Sequence, residues 1–371
     1  MRRRRGHRLP LLAGLMLLVA SSVSTSIRAA VLVFSNQTEQ SVYFAITTPG
    51  DSPQAYRVAA GDVLPVPVYG QVSVRFNAGR QVVDQPAAAN SIQTFRYQDR
   101  LELTERRFVE AAVAPEECER ASRPVDPSLG QSGKIPVMIL VDEDEPAARR
   151  VWEKRFRDRF EAASDIFEHH ARIRFEVVAV GLWESNDLIN DFSLSLREFE
   201  RGVRIERPAQ IAVGFTSQYK KPDEKRVHMG GTRGPLFPYL LVREWPQHIA
   251  ETERLEVLVH ELGHILGAVH SPDQKSVMRP LVGDRQSRAR AFRIRFDPLN
   301  TLAMYVFCEQ LRLGRAGGLS EFTPESLALL SGIYAEMQRE FPDDTSAGRY
   351  RAIMQQQSRP PVVRAVPHPS R

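Results

Sequence analysis

Between residues 31 and 110 the apolar residues come in short runs or strict alternation, as in VLVF, SVYFAI, YRVA, VLPVPVYG, VSVRF, SIQTFRY and LELT. Turn-forming groups separate the runs, among them Thr48-Pro49-Gly50-Asp51, Ala60-Gly61-Asp62 and Asn77-Ala78-Gly79. A period of two turns one face of each segment to a core and the other to water. The pattern therefore predicts strands, and their spacing predicts an all-β, sandwich-like domain. No constellation of reactive side chains falls within it. A structural companion, a removable pro-domain and a binding module are the roles open to such a domain.

Residues 111–133 lose all periodicity to Pro115, Pro124, Pro127, Gly130 and Gly133 and are expected to be a linker. From residue 134 two periods alternate. KIPVMILV reads as a buried strand, and Pro146 opens a helix with Trp152, Phe156, Phe160, Ala163 and Phe167 on one face. Further strands are expected at 173–180, 210–215 and 237–242, a short helix within the polar stretch 187–207, and an edge strand at 225–232 interrupted by Gly230 and Gly231. A helix follows with Leu255, Leu258, Val259, Leu262 and Leu266 as its apolar stripe, Thr252 as candidate cap, and Glu253 and Glu256 near its positive end. Asp297-Pro298 starts another helix that Gly314 stops, and one more spans about 324–339. The fold class is α+β. A domain at 134–316 is followed by a helical segment at 317–355 and a proline-rich tail at 356–371, expected to be disordered.

Charge matters chiefly at the start. Residues 1–30 hold six arginines and no acidic residue ahead of and around an apolar run at 9–20, which fits a secretory signal peptide with small residues at Ala29 and Ala30. An uncleaved anchor is the alternative, and the arginine pairs give a twin-arginine reading little support. The chain carries +5 overall, so without those six arginines it stands at about −1. A nucleic-acid partner thereby loses its main support, and no stable membrane insertion is expected once the signal is removed. An exported chain, secreted or in the cell envelope, is the expectation.

The densest chemistry lies at residues 260–278, HELGHILGAVHSPDQKSVM. On a helix, residues four apart stand one above the other, so His260 and His264 can aim imidazoles at one metal ion, with Glu261 beside them to handle a proton. Gly267 falls where the helix must stop, because glycine enters the left-handed backbone without steric cost. The chain can then return His270 as a third ligand. Three imidazoles with an open fourth position describe a catalytic zinc site. Requiring Gly267 and His270 besides H-E-x-x-H lowers the chance expectation about 700-fold, given 22 glycines and 9 histidines in 371 residues.

H-E-x-x-H-x-x-G-x-x-H followed by methionine resembles the signature of the metzincin zinc endopeptidases, with Met278 at the position of the Met-turn. Ser271 directly after the third histidine and Pro280 two places after the methionine look most like the matrixin branch. The chain has no PRCGxPD segment, no recognisable structural-zinc or calcium loop, and Pro280 where astacins have tyrosine. The resemblance implies a twisted mixed sheet with long helices, an active-site helix and a Met-turn. It also implies Zn2+ on His260, His264 and His270, Glu261 as general base, Met278 as a packing floor, and a protein or peptide substrate lying along the edge strand. The rival from another class is a secreted binding or adhesion protein whose metal domain is catalytically silent; intact Glu261 argues against it.

Cys118 and Cys308 are the two cysteines. They could form one disulfide or stay unpaired, or Cys118 could reach the metal as a thiolate switch. His169, His170, His228, His248 and His368 read as surface residues. Between the Met-turn and the next helix stand Arg285, Arg288, Arg290, Arg293 and Arg295. Phe292, Ile294 and Phe296 alternate with the last two, so Arg285, Arg288 and Arg290 are the candidates to favour an acidic substrate side chain.

Overall fold

The computed structural model describes residues 30–108, 132–189, 191–217, 229–244, 250–282, 285–289, 292–315 and 318–358. The expected targeting segment, all but the end of the linker with Cys118, Arg290, His228, His248 and His368 lie outside the described residues.

Eight strands build the first body: β1 Ala30–Asn36, β2 Val42–Thr47, β3 Gln54–Val58, β4 Val63–Val68, β5 Val72–Asn77, β6 Val82–Ala87, β7 Ser91–Tyr97 and β8 Leu101–Arg106. They form two four-stranded sheets, ordered β4-β1-β7-β8 and β3-β2-β5-β6. All neighbours are antiparallel except β1 and β7, which run parallel. The sheets close over a core in which Phe34, Phe44, Phe76 and Phe95 pack together.

β1 differs from the others because all seven of its residues are buried. Leu32 and Phe34 enter the sandwich core, while Val31 and Val33, with Val63 and Ile92, enter a second core built by helices farther along the chain. That is why β1 reads as a continuous apolar run rather than an alternation.

The second body has a five-stranded sheet of β9 Gly133–Asp142, β10 Ile173–Trp183, β11 Ile211–Thr216, β12 Gly230–Gly231 and β13 Tyr239–Arg243, ordered β10-β9-β11-β13-β12. Only the edge strand β12 is antiparallel to its neighbour. Along β9, Val137, Ile139 and Val141 face one side, against α1 Arg149–Ala171 and α3 Glu251–Ile265; Leu140 faces the other, against α2 Phe192–Gly202. α1 lays Trp152, Phe156, Phe160, Ala163 and Phe167 on the sheet, each at most 3% exposed. Its buried Arg159 bonds to Glu251 at 2.5 Å and to Glu244, fixing where α3 begins.

Three helices follow among the described residues: α4 Pro298–Arg312, α5 Pro324–Glu340 and α6 Ser346–Gln357. Asp297 caps α4 and Thr323 caps α5, each side chain accepting from the backbone N–H three residues on. Leu302 and Val306 of α4 and Leu330 and Ile333 of α5 form the core that receives the outer face of β1. The chain is therefore α+β, a β-sandwich followed by a mixed sheet with long helices.

Several expectations need correction. α1 starts at Arg149, three residues after Pro146, with Ala148 as its cap. α3 starts at Glu251, ahead of Thr252, because Glu253 reaches back to accept from Ala250 N at 3.0 Å. Helix α6 runs to Gln357, past the expected onset of the tail at 356. His170 is no surface residue: it is 2% exposed, and its Nδ1 lies 3.0 Å from Thr301 Oγ1, where the end of α1 meets the start of α4. His169 is exposed as expected, and its Nε2 bonds to the carbonyl of Val63 at 2.9 Å, tying α1 to the sandwich.

Candidate metal centre

His260 and His264 sit one turn apart on α3, and the helix ends at Ile265. Ala268 N donates to Gly263 O at 2.8 Å and Gly267 N to His264 O at 3.3 Å, the bond pair that closes a helix over a left-handed residue. Gly267 has φ +91°, and a Cβ there would stand 2.9 Å from Tyr334 Oη and 3.0 Å from Phe307 Cδ2. Backbone conformation and crowding both demand glycine. The reversed chain brings His270 back, so that one ring nitrogen from each of His260, His264 and His270 lies within 4.8 Å of the others.

The outer nitrogens settle where the protons are. His260 Nδ1 is 2.8 Å from Val277 O, His264 Nδ1 is 2.9 Å from Ala268 O, and His270 Nδ1 is 2.7 Å from Asp344 Oδ2. Carbonyl and carboxylate oxygens accept, so each Nδ1–H donates, and in a neutral ring Nε2 then keeps its lone pair. The Nε2 atoms of His260 and His264 face each other at 3.2 Å. Two lone pairs at that distance repel unless they share a cation, and a set of three neutral imidazoles suits zinc. Burial favours the neutral form of the two helical rings: it brings His260 down to about 4 and His264 well below the ordinary range.

Met278 lies beneath this face of α3 and is fully buried, its Sδ 3.0 Å from the point where a Cβ on Gly263 would stand. The turn that carries it is held by Ser276 Oγ, which donates to Asp297 Oδ2 at 2.8 Å and accepts from Met278 N at 3.1 Å. Sequence reasoning treated Glu253 and Glu256 as charges favourable to the helix start. The structure buries both as ion-pair partners: Arg279 Nη1 is 2.6 Å from Glu256 Oε1, and Arg288 is 2.6 Å from Glu253. Glu253, Glu256, His260 and Gly263 thus form one face of α3, clamped against the Met-turn and the segment after it.

Glu261 points towards the edge strand. A Cβ on Gly230 would come within 2.7 Å of its Cγ and 3.1 Å of its Oε1. Burial pushes its carboxyl up from the ordinary 4.5 to about 8. The edge strand expected at 225–232 is a strand only at Gly230–Gly231, with 218–228 outside the described residues.

The arginine segment keeps fewer free charges than its sequence suggested. Arg288 is bound to Glu253 and Arg295 lies 3.4 Å from Asp273, while Phe296 is buried and Ile294 packs on the core. Cys308 is a thiol with no exposed surface, pushed up to about 12 by burial, while Cys118, its candidate partner, lies outside the described residues. It stands inside α4 in the core beneath α3, where no second cysteine reaches it among the described residues.

Residues 147–301 match the family model of the matrixins. No curated protein is similar enough to match the chain. Among solved structures, an archaemetzincin from Methanopyrus kandleri is 17% identical, covering 49% of this chain and 95% of that one, with a TM-score of 0.31. A zinc-dependent peptidase from Methanocorpusculum labreanum (strain Z) is 14% identical over 45% of this chain and 99% of that chain, at a TM-score of 0.33. A chaperone–substrate complex is 6% identical over 76% of this chain and 42% of that chain, at 0.32. Likenesses this slight carry no weight for fold or function. The matrixin match coincides with the converging histidines, the turn at Gly267 and the methionine beneath them, so residues 147–301 are similar to the metzincin zinc metallopeptidases at the residues that would hold the metal.

Proposed function

We propose that the chain is an exported zinc-dependent endopeptidase, in which His260, His264 and His270 hold the ion and Glu261 moves the proton. The observation that carries this reading is the convergence of the three imidazoles, with each Nδ1 beside a carbonyl or carboxylate oxygen and one ring nitrogen from each within 4.8 Å of the others. A zinc ion on three imidazoles supplies Lewis acidity, acidifying water and polarising a carbonyl oxygen. Glu261, ionised beside the bound cation, would take a proton from the water that attacks a peptide carbonyl and give it to the leaving amine. The side of β12 away from β13, which pairs with no other strand among the described residues, offers backbone N–H and C=O groups to an extended substrate, which favours cleavage within a chain over trimming from an end. Export rests on the composition of residues 1–30; among the described residues no helix is long and apolar enough to cross a membrane.

The test is metal content and hydrolysis of casein or a quenched internal peptide by wild type and Glu261→Ala. One zinc per chain, activity lost to a chelator, and a variant that keeps the metal but not the turnover are the expected results. Cleavage by Glu261→Ala at the wild-type rate would remove Glu261 as the base.

A further inference from the structure

His270 is the one inward-facing imidazole whose outer nitrogen meets a charge. His260 and His264 lean on the backbone carbonyls of Val277 and Ala268, whereas His270 leans on the carboxylate of Asp344, 74 residues later in the chain. Asp344 is itself held: its Oδ1 accepts from Ser346 N at 2.8 Å and from Ser346 Oγ. Ser346 Oγ in turn accepts from the backbone N–H of His270 at 3.2 Å. The loop between α5 and α6 thus grips His270 by ring and backbone together. It does so where the chain has left α3, so no helical neighbour fixes this ring.

The same two helices cap the end of α3. Tyr334 Oη of α5 donates to Gly267 O at 2.6 Å, and Tyr350 Oη of α6 donates to His264 O at 3.0 Å. Both tyrosines are fully buried. These groups lie beyond residues 147–301, the part that matches a family.

We propose that Asp344 is a positioning residue for the metal centre, the anionic partner that fixes the tautomer and orientation of His270 and strengthens its hold on the ion, with α5 and α6 as its mount. This rests on the zinc reading given above. A carboxylate behind a ligating imidazole makes the ring a stronger donor, and removing such a partner weakens metal binding by about 10–100-fold.

The experiment uses the full chain as wild type, Asp344→Asn, Asp344→Ala and His270→Ala, with three readouts: zinc affinity by chelator competition, the visible spectrum of the cobalt-substituted protein, and the Tm of the metal-free protein. Asp344→Asn keeps the shape and an acceptor oxygen but loses the charge. Its zinc affinity should fall by about 10-fold and its cobalt spectrum shift, while the metal-free Tm barely changes; Asp344→Ala should lose more affinity. Wild-type affinity in both Asp344 variants would overturn the proposal and leave the zinc site standing, as would a loss matched by a fall in the metal-free Tm of Asp344→Asn. A wild type that binds no zinc, or binds it as well as His270→Ala does, would overturn the site reading and this proposal with it.

Discussion

Gly230 and Glu261 stand so close that a Cβ on the glycine would come within 2.7 Å of the glutamate Cγ. The edge strand and the Glu261 side chain therefore share one small space. In Gly230→Ala the flexible glutamate has to swing aside while the histidines keep their places. Zinc affinity should stay at the wild-type value and kcat should fall at least ~10-fold, as expected when a catalytic group is misplaced by about an ångström. Rates and a zinc titration on the same preparation check this; a fully active variant would show that Glu261 has room to spare.

At Gly267, valine would meet both a left-handed backbone and the hydroxyl of Tyr334. The backbone alone costs about 1–2 kcal/mol for a side chain with a Cβ, and a β-branched one fares worst. Denaturant unfolding of metal-free Gly267→Val should show at least that loss. Its zinc affinity should fall too, because the carbonyl of Ala268 that orients His264 belongs to the same turn.

Arg279 and Glu256 form an ion pair with at most 1% of either side chain exposed. Arg279→Met strands a carboxylate in the core and should cost roughly 3–5 kcal/mol, whereas Arg279→Met combined with Glu256→Leu should recover most of it. Equilibrium unfolding of the single and double variants reads the difference. Equal losses in both would mean that packing, and not charge, is what the arginine supplies.

The pH dependence of the metal-free protein has a definite sign. Burial raises Glu261 from 4.5 to about 8 and lowers His260 from 6.5 to about 4. As the pH rises past 6.5 the unfolded chain loses the His260 proton that the folded chain never held, whereas the folded chain still holds the Glu261 proton that the unfolded chain has released. Stability from this group is complete below 4.5 and is lost as the pH rises through about 8. Between pH 6.5 and about 8.5 the Tm of the wild type should therefore fall relative to Glu261→Gln. Parallel curves would trace the slope to another group.

Cys308, buried and pushed up to about 12, should ignore a thiol reagent in the native protein and react on unfolding. Measured in a Cys118→Ser background, rapid labelling of the native chain would place the thiol somewhere other than the core.

How much of this the sequence revealed follows from how local each interaction is. His260, His264 and Gly267 were legible because a helix repeats every 3.6 residues and a helix must end in a way that few residues allow. The order of the strands in the mixed sheet was not written locally, yet their existence was, in runs such as KIPVMILV. Asp344 left no trace, since nothing near it in sequence signals a partner 74 residues away. Glu256 was misread for the same reason: an acidic residue early in a helix suits the dipole, and only the folded chain brings Arg279 to it. The run VLVF did carry a signal that could have been used. A strand apolar on successive residues needs cover on both faces, which a two-sheet sandwich alone does not give.

That double cover has a consequence for how the protein could be processed. Val31 and Val33 belong to the helical core while Leu32 and Phe34, alternating with them, belong to the sandwich. Cutting the chain anywhere in residues 109–131 would part the covalent thread and leave β1 anchored in both cores. Release would have to bare Val31, Val33, Val63 and Ile92 together with the facing side chains of α4 and α5, surface that stays out of water at a gain of about 25 cal/mol for each Å². A nicked protein would run as one particle in size exclusion and as two bands in denaturing gels, the sandwich persisting as a non-covalent subunit of the second body.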